Sequence, residues 1–188
     1  MANKIKYGIS KCYYAKATQS SDSTLIYSTP VALPGAVSLS LSISGDTNSF
    51  YADNIVYWTS NANNGYQGDL ELALIPDDFR KDILGETLDA KGMYVERSSD
   101  AQSEFALLFQ FEGDEHNTKH CLYRCVASRP EVSGSTKEDS IEPQTETVTL
   151  TAMPRIADEV VKARCPYTAT TSSAYYTWFN AVTEPTAA

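Results

Sequence analysis

The chain has few basic residues and few histidines for its length. Its 188 residues include 15 lysines and arginines against 24 aspartates and glutamates, and only two histidines. A protein that binds nucleic acid neutralises phosphates with lysine and arginine, and no stripe of these residues occurs here. The formal net charge of −9 therefore argues against a nucleic-acid binder and favours a surface that repels DNA.

Long apolar runs are also missing. The longest strongly apolar run, 105–109, is far shorter than the roughly 20 residues of a membrane-spanning helix. Residues 1–8 contain lysines with no apolar stretch after them, so we expect no signal peptide and no membrane association. Folding in a cytoplasm would keep the cysteines reduced and packed as small apolar side chains. The four cysteines are Cys12, Cys121, Cys125 and Cys165.

Alternation of apolar and polar residues predicts a mainly β domain. Val37–Ser44 alternates four aliphatic residues with four serines, which is typical of a strand with one buried face. Ser103–Glu112 and Lys119–Ala127 flank a polar stretch and predict a β-hairpin. Further strands are expected at 6–15, 55–59, 69–74, 147–153 and 158–165.

One helix is expected at Ile75–Gly85, which begins with Pro76 and paired aspartates and ends in glycine. Its residues Phe79 and Ile83 share a face. A second short helix is expected within 174–182, where aromatic residues recur at helical spacing.

Together these patterns predict an antiparallel β-sandwich or barrel-like domain over 1–188, with a flanking helix and a short tail at 183–188. Two polar segments, 45–67 and 128–144, contain no assigned pattern over most of their length. Loops of this length are uncommon in compact domains, so we expect them to become ordered against neighbouring molecules.

Candidates for metal or catalytic chemistry are few. Cys121 and Cys125 lie near both histidines in the sequence. Residues four apart on a strand share a face but lie about 13 Å from each other, which is too far for one zinc ion or a disulfide. Asp77, Asp78 and Asp82 form an acidic cluster that could act as a general acid–base pair or hold a divalent cation, but the first two fit a helix start, where carboxylates meet the positive end of the dipole. The stretch 112–115 (Glu-Gly-Asp-Glu) reads as a hairpin turn, with a weak calcium site as the alternative.

No phosphate-binding glycine loop and no nucleophile motif occur in the sequence. We therefore expect no enzyme, no cofactor and no metal.

Five short sequence motifs follow one another in the central block of the chain. They are LPGAV (33–37), SGD (44–46), FYADN (50–54), NGYQGDLEL (64–72) and IPDDF (75–79). This block resembles the major tail protein of long-tailed bacteriophages (siphoviruses) that infect Gram-positive hosts. Looser similarity continues at 106–109, 128–130, 142–146 and 178–179.

The resemblance implies a tail-tube subunit with a β-sandwich-like fold and a flanking helix. Such subunits form rings, typically of six copies, which stack into a hollow tube. The implied location is the virion tail, with assembly in the host cytoplasm. The implied partners are other copies, the tape-measure protein and other tail proteins, while DNA passes through the lumen without specific binding. The resemblance implies no catalytic residues.

Two groups of residues are candidates for a role in such a tube. Asp69 and Glu71, on the solvent face of a patterned strand, are candidates for a lumen that repels phosphate. The segment 45–67 is the candidate for contacts between subunits or rings, mobile in an isolated subunit. Its candidate residues are Asp46, Asn48, Phe50, Tyr51, Asn54, Asn64 and Tyr66.

Two other classes of function remain open. A carbohydrate-binding or adhesion β-sandwich would need an aromatic platform, for which Tyr57 and Trp58 are the nearest candidates. A soluble enzyme is the third possibility.

Overall fold

Antiparallel strands dominate the computed structural model, which describes residues 5–113, 115–136, 143–168, 170 and 172–186. The mainly β class expected from the sequence is confirmed. The strands are β1 (Lys6–Gln19), β2 (Leu25–Tyr27), β3 (Val31–Leu33), β4 (Ala36–Ile43), β5 (Thr47–Ala52), β6 (Ile55–Asn61), β7 (Tyr66–Leu72), β8 (Thr87–Leu88), β9 (Tyr94–Val95), β10 (Phe105–Gly113), β11 (Thr118–Ala127), β12 (Glu146–Ala152) and β13 (Lys162–Cys165). The helices are α1 (Asp77–Phe79), continued by a π-helical turn at Arg80–Leu84, and α2 (Ser172–Thr177).

One large sheet organises the molecule, in the order β2-β1-β10-β11-β12-β7-β4, with β3 also on β1 and β13 also on β11. Because only Pro34 and Gly35 separate β3 from β4, the chain passes at once from one end of the sheet to the other. The Ala73 N–H donates to the Gly35 carbonyl at 2.8 Å, which extends the β4–β7 pairing to the start of this junction. The sheet therefore curls around its core, bringing its two ends close together.

The predicted hairpin is confirmed as β10 paired with β11. Phe105, Leu107 and Phe109 of β10 face the main core, while Ala106 and Leu108 face a second buried cluster on the other side of the sheet. Burial on both faces explains why residues 105–109 of β10 form a continuous apolar run with no alternation.

The predicted helix is confirmed as α1 and its π-helical turn. Gly85, with φ of 87°, ends the segment in the left-handed conformation that glycine adopts without strain. Phe79 contacts Tyr14 and Phe105 edge-on, with ring centroids 5.1 and 5.5 Å apart. The helical segment thus lies against the main core.

The C-terminal segment covers the second cluster, but the helix prediction for 174–182 is wrong in its bounds. α2 ends at Thr177, whose hydroxyl donates to the Ser173 carbonyl at 3.1 Å, and threonine is a weak helix former. Trp178 and Phe179 reach the sheet from the turn that follows, and the Trp178 indole donates to the His120 carbonyl at 3.3 Å.

The prediction of an irregular segment at 45–67 is also wrong, whereas the strand expected within it at 55–59 is confirmed as part of β6. Most of it forms the β5–β6 hairpin, with a two-residue turn at Asp53 and Asn54. Both turn residues have positive φ, 51° and 63°, as a type I′ turn requires. The flanking β-branched and aromatic residues favour strands, and the polar composition of the segment concealed β5.

The expectations for segment 128–144, the C-terminal tail and strand β4 have different outcomes. In 128–144, the described residues 128–136 and 143–144 contain no helix or strand, as expected, while 137–142 lie outside the described residues. Of the tail 183–188, residues 187 and 188 lie outside them as well.

The buried face predicted for β4 is only partly buried, because Leu39 and Leu41 are half-buried. No strand covers the outer edge of β4 among the described residues.

All four cysteines are buried, as expected. The expectation that Cys121 and Cys125 share a face is wrong, since they belong to the two opposite clusters. Phe105 pairs with Cys125 and Leu107 with Leu122, so β11 has an extra residue between these pairs. This β-bulge shifts the alternation of side chains along β11.

Candidate assembly surfaces

The β5–β6 hairpin (Thr47–Asn61) presents large apolar side chains to solvent. Phe50 pairs directly with Trp58, and the two residues are 59% and 57% exposed. Asp53 is the one charged residue in 47–61. The other exposed apolar residues of the hairpin are Tyr51, Ile55, Val56 and Tyr57. A monomeric soluble protein rarely exposes so many large apolar side chains on one short hairpin, so the hairpin is a candidate interface.

A two-stranded hairpin is marginally stable alone, and this one joins the main sheet at its base. The Ser44 N–H donates to the Gly65 carbonyl at 2.9 Å, and the Asn64 N–H donates to the Ser44 carbonyl at 2.8 Å. The Ala62 N–H donates to the Asp46 carbonyl at 3.0 Å. These bonds continue the β4–β7 pairing into the hairpin.

Six of the seven residues proposed for inter-subunit contacts lie in or next to this hairpin. Asn48, Phe50 and Tyr51 are in β5, and Asn54 is in the turn. Asp46 and Asn64 flank the base of the hairpin. Tyr66 lies apart, at the start of β7, where its hydroxyl accepts a hydrogen bond from the Lys162 ammonium at 2.9 Å.

The two proposed lumen residues lie together in a polar ladder on the outward face of β4, β7 and β12. Strand register places Asp69 between Ser40 and Thr149, and Glu71 between Ser38 and Thr147. The Thr149 hydroxyl donates to Asp69 at 2.7 Å. The ladder consists of Ser38, Ser40, Ser42, Gln67, Asp69, Glu71, Thr147, Thr149 and Thr151.

Hydroxyl donors stabilise the ionised form of Glu71. Glu71 accepts hydrogen bonds from the Thr145 hydroxyl at 2.6 Å and the Ser38 hydroxyl at 2.8 Å. These bonds, that from Thr145 first, lower the pKa of Glu71. The ladder therefore presents two carboxylates among hydroxyls and contains no basic residue.

No protein-family model matches this chain, and no curated protein is significantly similar to it in sequence. Its surfaces therefore have to be interpreted from their own chemistry. In the described part of the chain, no helix is both long and apolar enough to cross a membrane.

The acidic residues considered for catalysis are not gathered into a site. Asp77 and Asp78 lie in the first turn of α1, as the sequence predicts. Asp82 accepts a hydrogen bond from the Tyr14 hydroxyl at 3.0 Å, and burial, followed by Asp82, raises the pKa of Tyr14. Asp114 lies outside the described residues.

The buried thiols are poor nucleophiles and poor metal ligands. Burial raises the pKa of Cys12 and of Cys125 to about 12, and raises that of Cys121 as well. Across the described ranges, no His, Cys, Asp and Glu side chains form a group that could hold a metal ion.

Tyr57 and Trp58 are both exposed but are consecutive along β6. Neighbouring side chains on a strand project to opposite faces. The pair is therefore poorly arranged to form the single flat platform on which a sugar ring stacks.

Sequence reasoning missed Ile55 and Val56 as site residues, and it named Trp58 only for a carbohydrate platform and not for contacts between subunits. The signal for them was present, because Asp53-Asn54 is flanked by β-forming residues, and such a dipeptide favours a two-residue hairpin turn.

Proposed function

We propose that this protein is a structural subunit that assembles with copies of itself into the tube of a bacteriophage tail. The exposed apolar surface of the β5–β6 hairpin carries the proposal. Burying that surface against a second copy removes it from water at about 25 cal/mol for each Å². Since every copy bears the same net charge of −9, contact is favoured where the surface is nearly uncharged, as it is on the hairpin.

The polar ladder supports a position for the outward face of β4, β7 and β12 on the wall of the lumen. Carboxylates at Asp69 and Glu71 would repel DNA phosphates, and the surrounding hydroxyls are uncharged. A duplex passing such a wall would meet no cations to hold it. We place the ladder on the inner wall of the tube.

The sequence resemblance to siphovirus major tail proteins supplies the biological setting. It favours hexameric rings stacked into a tube, a location in the virion tail, and assembly in the host cytoplasm. It also favours the tape-measure protein and other tail proteins as partners, with DNA as cargo. Under this proposal the chain has no catalytic function.

The test is the association state of the purified chain. Sedimentation velocity over a hundredfold range of concentration should reveal reversible growth into large species. A chain that stays monomeric throughout would overturn the proposal. If a glycan array then gave selective binding that a Trp58→Ser substitution removed, the carbohydrate-binding alternative would replace it.

A further inference from the structure

An open groove runs along the seam where the curled sheet does not close. β1 pairs with β3 only through Cys12–Tyr14, which leaves its first half, Lys6–Ser10, without a partner opposite β10 among the described residues. β4 has the same free edge on its side of the seam. The seam groove between them has a volume of about 420 Å³, and its walls include Leu39, Leu41 and Phe111.

Cations rim this groove. The Lys6 ammonium lies 4.1 Å from the centre of the Phe111 ring, and the Lys162 ammonium lies 4.4 Å from that of Tyr66. Arg164 lies on an adjoining opening that Lys6 and Phe111 also line. Within the described residues, none of these three cations forms a salt bridge with a carboxylate.

The groove therefore suits an occupant that is apolar and acidic. This chain is itself acidic, and its exposed apolar hairpin has carboxylates at the turn (Asp53) and at the base (Asp46). A hairpin also offers free strand edges, which can pair with the open edges of β1 and β4. The exposure of Phe50 and Trp58 means that the hairpin does not fill the groove of its own chain.

We propose that the seam groove receives the β5–β6 hairpin of a neighbouring copy, an inference that rests on the proposed self-assembly. The exposed aromatic residues of the hairpin would cover Leu39 and Leu41, and its aspartates would approach Lys6 and Lys162. The hairpin is the donor surface of this contact and the seam groove is its acceptor surface. Because they are different surfaces of one chain, the contact is heterologous. Such contacts propagate head to tail and produce rings or filaments.

The test uses one variant for each side of the contact. Phe50→Ser/Trp58→Ser disables the donor, and Lys6→Glu/Lys162→Glu disables the acceptor. Each variant alone should need about tenfold or more higher concentration to assemble than the wild type, because a central apolar pair or both rim charges are lost. An equimolar mixture retains one intact junction and should form 1:1 dimers that grow no further, measured by sedimentation velocity.

The control variant is Lys81→Glu/Lys91→Glu, which makes the same charge change at two exposed lysines away from the groove and should assemble as the wild type does. Circular dichroism of every variant establishes that it is folded.

Failure of the wild type to assemble would overturn the proposed function. If the wild type assembles but the acceptor variant assembles equally well, or if the mixture stays monomeric, the groove inference is wrong and self-assembly stands. Saturable binding of oleate by the wild type, together with unchanged assembly of the acceptor variant, would assign the groove to an anionic amphiphile and overturn the inference.

Discussion

Phe50 lies directly opposite Trp58 in the β5–β6 hairpin, and each residue is more than half exposed. Cross-strand aromatic pairs stabilise a hairpin modestly, by up to about 1 kcal/mol. That effect does not explain why the pair faces water, whereas the proposed burial in an interface would.

We expect Phe50→Ser/Trp58→Ser to raise the concentration needed for self-association by about tenfold or more and to leave the main core folded. Surface substitutions of this kind change the free energy of unfolding by roughly 0.5 kcal/mol or less, plus the small loss of the pair. The measurement is sedimentation velocity beside urea denaturation. The control is Ile156→Ser, an exposed apolar residue outside the hairpin, which should assemble normally. Assembly of the double variant at the wild-type concentration would contradict the role of the hairpin.

We expect Asp69→Lys/Glu71→Lys to make assembled protein retain DNA. Two carboxylates in each copy become two ammonium groups, and their repetition around a wall creates many phosphate contacts. Co-sedimentation of a short duplex with the assemblies measures this at low and at physiological salt. Asp77→Lys/Asp78→Lys makes the same charge change at the start of α1 and should retain less DNA. Equal retention by both variants would show that the position of the ladder does not matter.

Arg80 and Glu146 attach the helical segment to β12. The Arg80 guanidinium lies 3.1 Å from both carboxylate oxygens of Glu146, which also accepts the Ile75 N–H at 2.7 Å. Glu146→Ala should lower the free energy of unfolding by about 1–3 kcal/mol, because part-buried donors lose a charged acceptor. Glu96→Ala removes the more exposed ion pair with Arg129 and should cost at most about 0.5 kcal/mol. Urea denaturation that ranks the two variants the other way would contradict this.

His120 should make the fold sensitive to mild acid. Its ring stacks on Phe109 at 5.2 Å, and burial, followed by Lys162, Arg164 and Lys6, lowers its pKa from 6.5 to about 4. The unfolded chain therefore binds a proton at this site between about pH 6.5 and 4, where the folded chain does not. Stability should fall by about 1–2 kcal/mol as the pH drops through this window, after allowance for solvent screening of a partly exposed ring.

The variant His120→Phe retains the aromatic contact and removes the titration. Urea denaturation at pH 7 and at pH 4.5 should then give a smaller acid-induced loss for the variant than for the wild type. An equal loss in the two proteins would assign the acid sensitivity to other groups.

The large sheet could be predicted from sequence because its signals are local. Serine–aliphatic alternation at Val37–Ser44 and the turn between β10 and β11 each specify an element without reference to distant residues. Burial on the second face of β10 was not predictable in this way, because it depends on Trp178 and Phe179 packing from the far end of the chain. The helix prediction for 174–182 was wrong in its bounds for the same reason, because tertiary contacts hold Trp178 and Phe179 against the sheet without a helix.

The candidate surfaces were predictable in part. Asp69 and Glu71 were identified as solvent-facing from strand alternation, and their place in a ladder required the register with β4 and β12. The seam groove could not be predicted, because Leu39 and Leu41 of β4 meet Phe111 only when the two ends of the sheet approach each other.

The central claim is that this chain builds a hollow tube from its own copies. Electron microscopy of the purified wild-type protein at high concentration tests it most directly. We predict stacked rings or hollow tubes of uniform diameter, and none for Phe50→Ser/Trp58→Ser under the same conditions. Isolated monomers of the wild type at every concentration, or amorphous aggregates without an axial repeat, would contradict the account.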